Sequence, residues 1–214
     1  SSFNNIVLRN GGNDCAYAIM RDAFMHAIIR GEMDLELSSS RPAVVYLNGN
    51  YWGVHDIREK LNEHFIAGNR NIDPDNIDLL EYVHYSSEVQ EVKGSAGDFN
   101  ALIGFIRNHD LSQADNYEVA RQEIDIENYM EYLMSQIYVN NRDWPGNNIK
   151  WWRQNAPAGK WRWLLFDTDF GFNFNPSGNT AGDISTNYMH NTLAWAANTS
   201  GGVWPNYPHA TSLF

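Results

Sequence analysis

Cysteine is almost missing from this chain: Cys15 is the only one in 214 residues, so no internal disulfide framework supports the fold. One thiol does not fix the compartment, because many exported bacterial proteins lack disulfides. By its position Cys15 is expected as a buried helix residue. Positive charge is also scarce. Fifteen Lys and Arg face 26 Asp and Glu, a formal net charge of −11. With no local basic patch to offset it, a phosphate backbone would be repelled and a nucleic-acid partner is disfavoured. No apolar run approaches the roughly twenty residues that a membrane-spanning helix needs. Ser1 to Arg9 also lack the charged, apolar and cleavage regions of a signal peptide. The chain starts without Met on an apparent strand and stops after Leu213-Phe214. It therefore reads as a piece of a longer protein, with targeting signals outside it. Repeats and low-complexity linkers are absent before a Gly/Asn-rich tail from Asn173 onward. No glycine-rich phosphate loop is evident, since Gly11-Gly12 is too slight to serve as one.

What remains is enough for a core. With 43% hydrophobic residues, one globular unit of mixed helix and strand is the default. Asp14 is placed to cap a helix with Ala16, Met20, Ala23, Phe24, Ala27 and Ile28 at helical spacing, ending near Gly31. Arg21-Asp22 inside it reads as a solvated or locally paired couple. Ala43 to Leu47 is strongly β, Asn48-Gly49 is a hairpin signal, and Tyr51 to Ile57 is the return strand. After it, Arg58-Glu59-Lys60 leads into a helix through Phe65 and Ile66, where Glu59 is also an ordinary first-turn residue. Asp73 to Asn76 reads as a turn and Ile77 to Val83 as a strand. Ser95 with Asp98 resembles a capping box for a helix burying Phe99, Leu102, Ile103 and Ile106. A short helix spans about 117–123. Asp125 then caps the most periodic segment, whose stripe of Ile126, Tyr129, Met130, Leu133, Ile137 and Tyr138 is expected to be core.

That helix delivers the chain to Asn141-Arg142-Asp143-Trp144-Pro145-Gly146-Asn147-Asn148. A strand over 148–153, a turn near Pro157 to Gly159, and a strand over 160–166 follow, ending in Asp167-Thr168-Asp169-Phe170-Gly171. A loop with one Asp and a later Asn, then a hairpin into Asp-Phe-Gly, is the layout with which protein kinases hold a hydroxyl, a metal and a triphosphate. Phosphoryl transfer asks a protein mainly for position and charge. Asp143 would accept the proton of an attacking hydroxyl. Asn148 would ligate a divalent metal without adding charge, and Asp167 or Asp169 would supply the hard carboxylate. Pro145-Gly146 would let the loop turn tightly. Turn composition, a helix cap or a structural Ca²⁺ site accounts for the same residues on local grounds.

Several segments together carry a family resemblance. They are Leu8-Arg9-Asn10, Met20-Arg21-Asp22, Val45 to Lys60 with its Asn-Gly-x-Tyr-Trp-Gly hairpin, Asp143 to Asn148, and Trp163 to Gly171. In that order, from Leu8 to about Phe172, the chain resembles the spore-coat protein H (CotH) kinase family. The resemblance implies an α+β, atypical protein-kinase-like fold with a small β-rich lobe before about residue 85, a mainly helical lobe over 86–172, and a tail, 173–214, that continues the domain. It implies a bacterial, secreted or cell-surface transferase that uses ATP and Mg²⁺ or Mn²⁺ to phosphorylate Ser or Thr hydroxyls on a protein substrate. Carried over, Asp143 matches the catalytic Asp, Asn148 the metal-ligating Asn, and Asp169 the metal-binding Asp, with Asp167 left open by the Asp-x-Asp pattern. Nucleotide-binding candidates are Glu59, Lys60, Arg58 and Arg21. The chain departs from ordinary kinases in having Asn141 where His is usual, no Lys two residues after Asp143, and a longer hairpin before Asp169.

Two other classes fit parts of the sequence. Trp144, Trp151, Trp152, Trp161 and Trp163 flank the carboxylates and would suit a glycan-binding or glycan-hydrolysing domain with Asp143 and Asp169 as an acid pair. Neighbours on a strand face opposite sides, however, so Trp151 and Trp152 cannot share one face and at least one is core. A catalytically inactive pseudokinase serving as an interaction module is the third.

Overall fold

The computed structural model describes residues 5–82, 89–172, 174 and 191–197. Among these the fold is α+β, with two antiparallel sheets. The smaller sheet has the order β1-β3-β2, with β1 Ile6–Arg9, β2 Ser40–Leu47 and β3 Asn50–Glu59. Its hairpin turns on Asn48 and Gly49, both at positive φ (50° and 80°). Those angles make a type I′ turn, which matches strand twist and which Asn-Gly adopts at least cost.

The larger sheet has the order β5-β4-β6-β7: β4 Ile77–Tyr82, β5 Gln90–Lys93, β6 Ile149–Gln154 and β7 Arg162–Leu164. Strand periodicity divides its side chains between two cores. Ile77, Leu79, Trp152 and Leu164 pack with Phe65, Ile66 and Ala67 of helix α2, Glu63–Arg70. Leu80, Tyr82, Trp151 and Trp163 face the other way, toward a larger cluster. That cluster is built on α3 Gly97–Asn108, α4 Ala114–Glu123 and α5 Ile126–Tyr138, with α1 Arg21–Ile29 joining through Met25 and Ile29. A short helix, α6 Thr192–Ala196, adds Ala196 to it. Aromatic rings fill the centre: Phe99 lies 4.7 Å from Trp151 and 5.2 Å from Trp161, and Tyr129 lies 4.4 Å from Trp163, centroid to centroid. Such pairs each contribute about 0.5–1.5 kcal/mol beyond their buried area.

Several sequence expectations are corrected here. The first helix begins at Arg21, because the chain from Gly12 to Ala16 winds as a 3₁₀ turn, and Asp14 caps that turn's exit by accepting from the Ala18 and Arg21 amides. Cys15 is exposed on this turn. The capping box does not form: Ser95 Oγ accepts from the Gly97 amide, while the Asp98 carboxylate pairs with Arg153. On α5 the expected stripe holds in part: Tyr129 is buried and Ile126, Leu133 and Ile137 pack against the core, but the buried face also takes in polar residues. Asn128, Tyr132, Ser135 and Gln136 are buried with Tyr129, whereas Met130 and Tyr138 are exposed. Polar partners account for the buried Asn128, which donates to the Asp34 carbonyl and accepts from the Trp163 amide. The strand expected over 160–166 joins the sheet only over Arg162–Leu164, with Trp161 in an isolated bridge to Ile124. β4 belongs by hydrogen bonding to the larger sheet, between β5 and β6. Of the tail from 173 onward, only Phe174 and 191–197 are among the described residues.

Candidate active site

α5 ends at Tyr138, and Asn140 then takes a left-handed conformation (φ 51°) that turns the chain into the Asp143 loop. Asn141, fully buried, clamps the loop to its helix. Its amide donates to Gln136 Oε1 at 2.9 Å and its oxygen accepts from the Asp143 amide at 3.0 Å. Trp144 beside it is buried edge-on to Tyr132. Asp143 itself is buried, and its Oδ2 accepts from Asn147 Nδ2 at 2.9 Å and Asn148 Nδ2 at 2.8 Å. Asn148, at φ 53°, turns its amide nitrogen toward Asp143, leaving Oδ1 for another partner.

The second carboxylate segment is tied to this loop by backbone, the Arg142 amide donating to the Phe170 carbonyl at 3.4 Å. Asp167 has positive φ (52°), and Thr168 and Asp169 are buried. Thr168 is held from α1: Asp22 Oδ1 accepts from its amide at 2.6 Å and from its hydroxyl at 2.7 Å. Asp22 is the hub of the cluster. Arg58 Nη1 from β3 pairs with its Oδ2, Arg9 Nε from β1 stands 3.9 Å away, and His26 Nε2 lies at 3.6 Å. Arg9 then reaches both site carboxylates, pairing with Asp167 Oδ1 and lying 3.5 Å from Asp169 Oδ2. Asp169 Oδ2 also accepts from the Asn13 amide at 2.8 Å, while its Oδ1 is buried without a hydrogen-bond partner.

Burial pushes Asp143 up to about 6, against the Asn147 hydrogen bond and helped by the charge of Asp167. Burial and then Asp167 push Asp169 up to about 7, against the Asn13 amide and Arg9. Asp22 goes the other way. Burial alone would raise it, but His26, Arg58, Arg9 and the Thr168 hydroxyl together hold it well below the ordinary carboxylate range.

A family model described as CotH kinase protein matches residues 2–206, nearly the whole chain. The chain belongs to the CotH kinase family. No curated protein matches it.

In this CotH kinase family member, the residues that sequence reading nominated do not all meet. Asp143, Asn148, Asp167 and Asp169 come together, and Arg58 joins them through Asp22. Arg21 lies at the margin. It bonds Asp14 at 3.4 Å and the Gly171 carbonyl at 3.5 Å, with its guanidinium 4.8 Å from the centroid of the Phe174 ring. Lys60 is exposed, its amide donating to the Asn5 carbonyl. Glu59, next to Arg58 on a strand, faces the opposite side. It lines a groove of about 1070 Å³ with Ile6, Arg41, Ile57 and Phe65, to which Arg58 also contributes. Sequence reading missed Arg9 as a site residue and took Asp22 for an ordinary helix charge. Leu8-Arg9-Asn10 and Met20-Arg21-Asp22 were both in the family pattern, which was the available signal. It also dismissed Gly11-Gly12, yet Gly12 (φ 60°) packs so closely that a Cβ there would lie 2.3 Å from Asp169 Oδ2 and 2.8 Å from Arg9 Nη2. Only glycine admits that approach.

Among the described residues, no three His, Cys, Asp or Glu side chains are arranged to hold a metal by themselves. The donor set nevertheless fits a hard divalent cation that shares its shell with phosphate and water. Asp169 Oδ1 is an orphaned buried carboxylate oxygen, Asp167 and Asp169 repel one another, and Asn148 offers a neutral oxygen.

Proposed function

We propose that this domain transfers the terminal phosphoryl group of ATP to a Ser or Thr hydroxyl of a protein substrate, with Mg²⁺ or Mn²⁺ as cofactor. The observation that carries the reading is the pairing of Asp143, clamped between two asparagine amides and pushed up to about 6, with the Asp167/Asp169 carboxylates, in a chain of the CotH kinase family. A base near neutrality suits removal of a hydroxyl proton. In the step, the substrate oxygen bonds to phosphorus as the bond to ADP breaks, and the hydroxyl proton passes to Asp143. Asn147 and Asn148 hold the carboxylate oriented. Asn148, Asp167 and Asp169 would hold the metal, which supplies charge compensation for the phosphates. Asp22 fixes Thr168, and so the two carboxylates that flank it. A bacterial, secreted or surface location belongs to the same proposal and rests on the family alone.

The glycan reading loses its platform, since Trp144, Trp151, Trp152, Trp161 and Trp163 are all buried in the core. Radiolabelled transfer from ATP to a protein acceptor is the test, with nucleotide binding measured alongside. Asp143→Asn should lower transfer by about 10²–10⁴-fold, the usual worth of a positioned base, while nucleotide affinity changes little. Undiminished transfer in that variant overturns the assignment of the base. Nucleotide binding without transfer by the unmodified protein would mark a pseudokinase.

A further inference from the structure

Arg9 occupies an unusual position for a strand-end cation. Its guanidinium sits on Asp167 and Asp169, the two carboxylates placed to hold a metal, with Asp22 behind it. The other arginine of the cluster, Arg58, is committed to Asp22 and lies 3.6 Å from Asp56. Arg9 is thus the one cation facing the Asp167/Asp169 pair among the described residues. Its Nε is buried without a hydrogen-bond partner, so the guanidinium is incompletely satisfied, and the side chain as a whole retains 25% exposure. The chain that follows is built for its presence: Gly12 leaves the space in which Arg9 Nη2 and Asp169 Oδ2 meet.

A divalent ion on those carboxylates and a guanidinium in the same place repel one another. An arriving triphosphate removes the conflict, because its oxygens accept the guanidinium that the carboxylates release. We propose that Arg9 is a resident surrogate cation on Asp167 and Asp169 that must swing onto nucleotide phosphate before the metal can be held, so that metal binding is gated by nucleotide. This rests on the kinase reading of the site. By linkage, metal and nucleotide then strengthen each other's binding by one and the same factor.

The test reads Mn²⁺ binding without turnover, by electron paramagnetic resonance of free Mn²⁺, with and without a non-hydrolysable ATP analogue. Unmodified protein should bind Mn²⁺ weakly alone and at least about tenfold more tightly with the analogue. Arg9→Gln should bind Mn²⁺ alone at least about tenfold more tightly than the unmodified protein, bind the analogue less well, and lose most of the coupling. Added guanidinium ion should return its Mn²⁺ affinity toward that of the unmodified protein. Arg9→Met keeps the packing of the aliphatic stem and provides the same comparison if the Gln variant lacks a native circular dichroism spectrum. Unchanged or weaker Mn²⁺ affinity in a folded variant overturns the proposal. An unmodified protein that binds no nucleotide even with Mn²⁺ overturns the kinase reading instead, and the phosphate half of the Arg9 role with it.

Discussion

Asp169 is buried with one oxygen unpartnered and a second carboxylate beside it, and burial with that neighbouring charge outweighs Arg9, so its ionisation opposes folding in the metal-free protein. The sign is definite. Its carboxyl rises to about 7 in the folded chain, above the ordinary value near 4, so the folded state binds the extra proton between those limits. The stability this provides is fully present below about pH 4 and is lost as pH rises through 7. Asp169→Asn in metal-free protein should therefore melt close to the unmodified protein at pH 4 but higher at pH 8, by on the order of a few degrees. Calorimetry at the two pH values checks this, and a difference that does not grow with pH would contradict it. Asp143, Asn148 and the Asp167/Asp169 pair were legible in the sequence because spacing around a loop and a hairpin end is a local property. Arg9 and Asp22 were not, because their roles depend on which distant residues they meet: Arg9 pairs with Asp167, and Asp22 with Arg58 and Thr168.

At the scale of elements, α1 acts as a strut between the two sheets. Through Asp22 it holds Arg58 of β3 on one side and Thr168 on the other. Removing the carboxylate leaves two arginines short of a partner in a buried site, a situation that costs about 3–5 kcal/mol where one member of a buried pair is lost. Asp22→Ala should lower unfolding stability in urea by about that amount and, under the proposed function, weaken nucleotide binding as well, because the Asp167–Asp169 turn loses its anchor. Full stability in that variant would show that the strut carries no load. Sequence patterning located most elements correctly. The Asn48-Gly49 hairpin, the Phe99 to Ile106 face of α3 and the Asp125 cap of α5 all follow from short-range rules. The face of α5 did so only in part: Ile126, Tyr129, Leu133 and Ile137 lie in or against the core as hydropathy predicts, but Met130 and Tyr138 are exposed, and Asn128 and Gln136 are buried by hydrogen bonds to residues far along the chain or in the next loop.

For the molecule as a whole, burial is uneven. β4 is buried on both faces, with Ile77, Leu79, Leu80 and Tyr82 all at 0% exposure, whereas Ile6, Leu8, Val44, Tyr46, Leu47, Tyr51 and Trp52 of the small sheet are all exposed. Amide hydrogen exchange should follow this division, slowest in β4 and β6 and faster in β1 to β3. Leu80→Ala should cost about 2–5 kcal/mol of global stability. Uniform protection across both sheets would contradict the division. The same unevenness governs how the protein behaves in concentrated solution. In dilute buffer near neutral pH, a net charge of −11 keeps copies apart. Sulfate screens that repulsion and strengthens apolar association. Among the described residues, the exposed aromatic hairpin is therefore the surface at which added sulfate should first bring copies together.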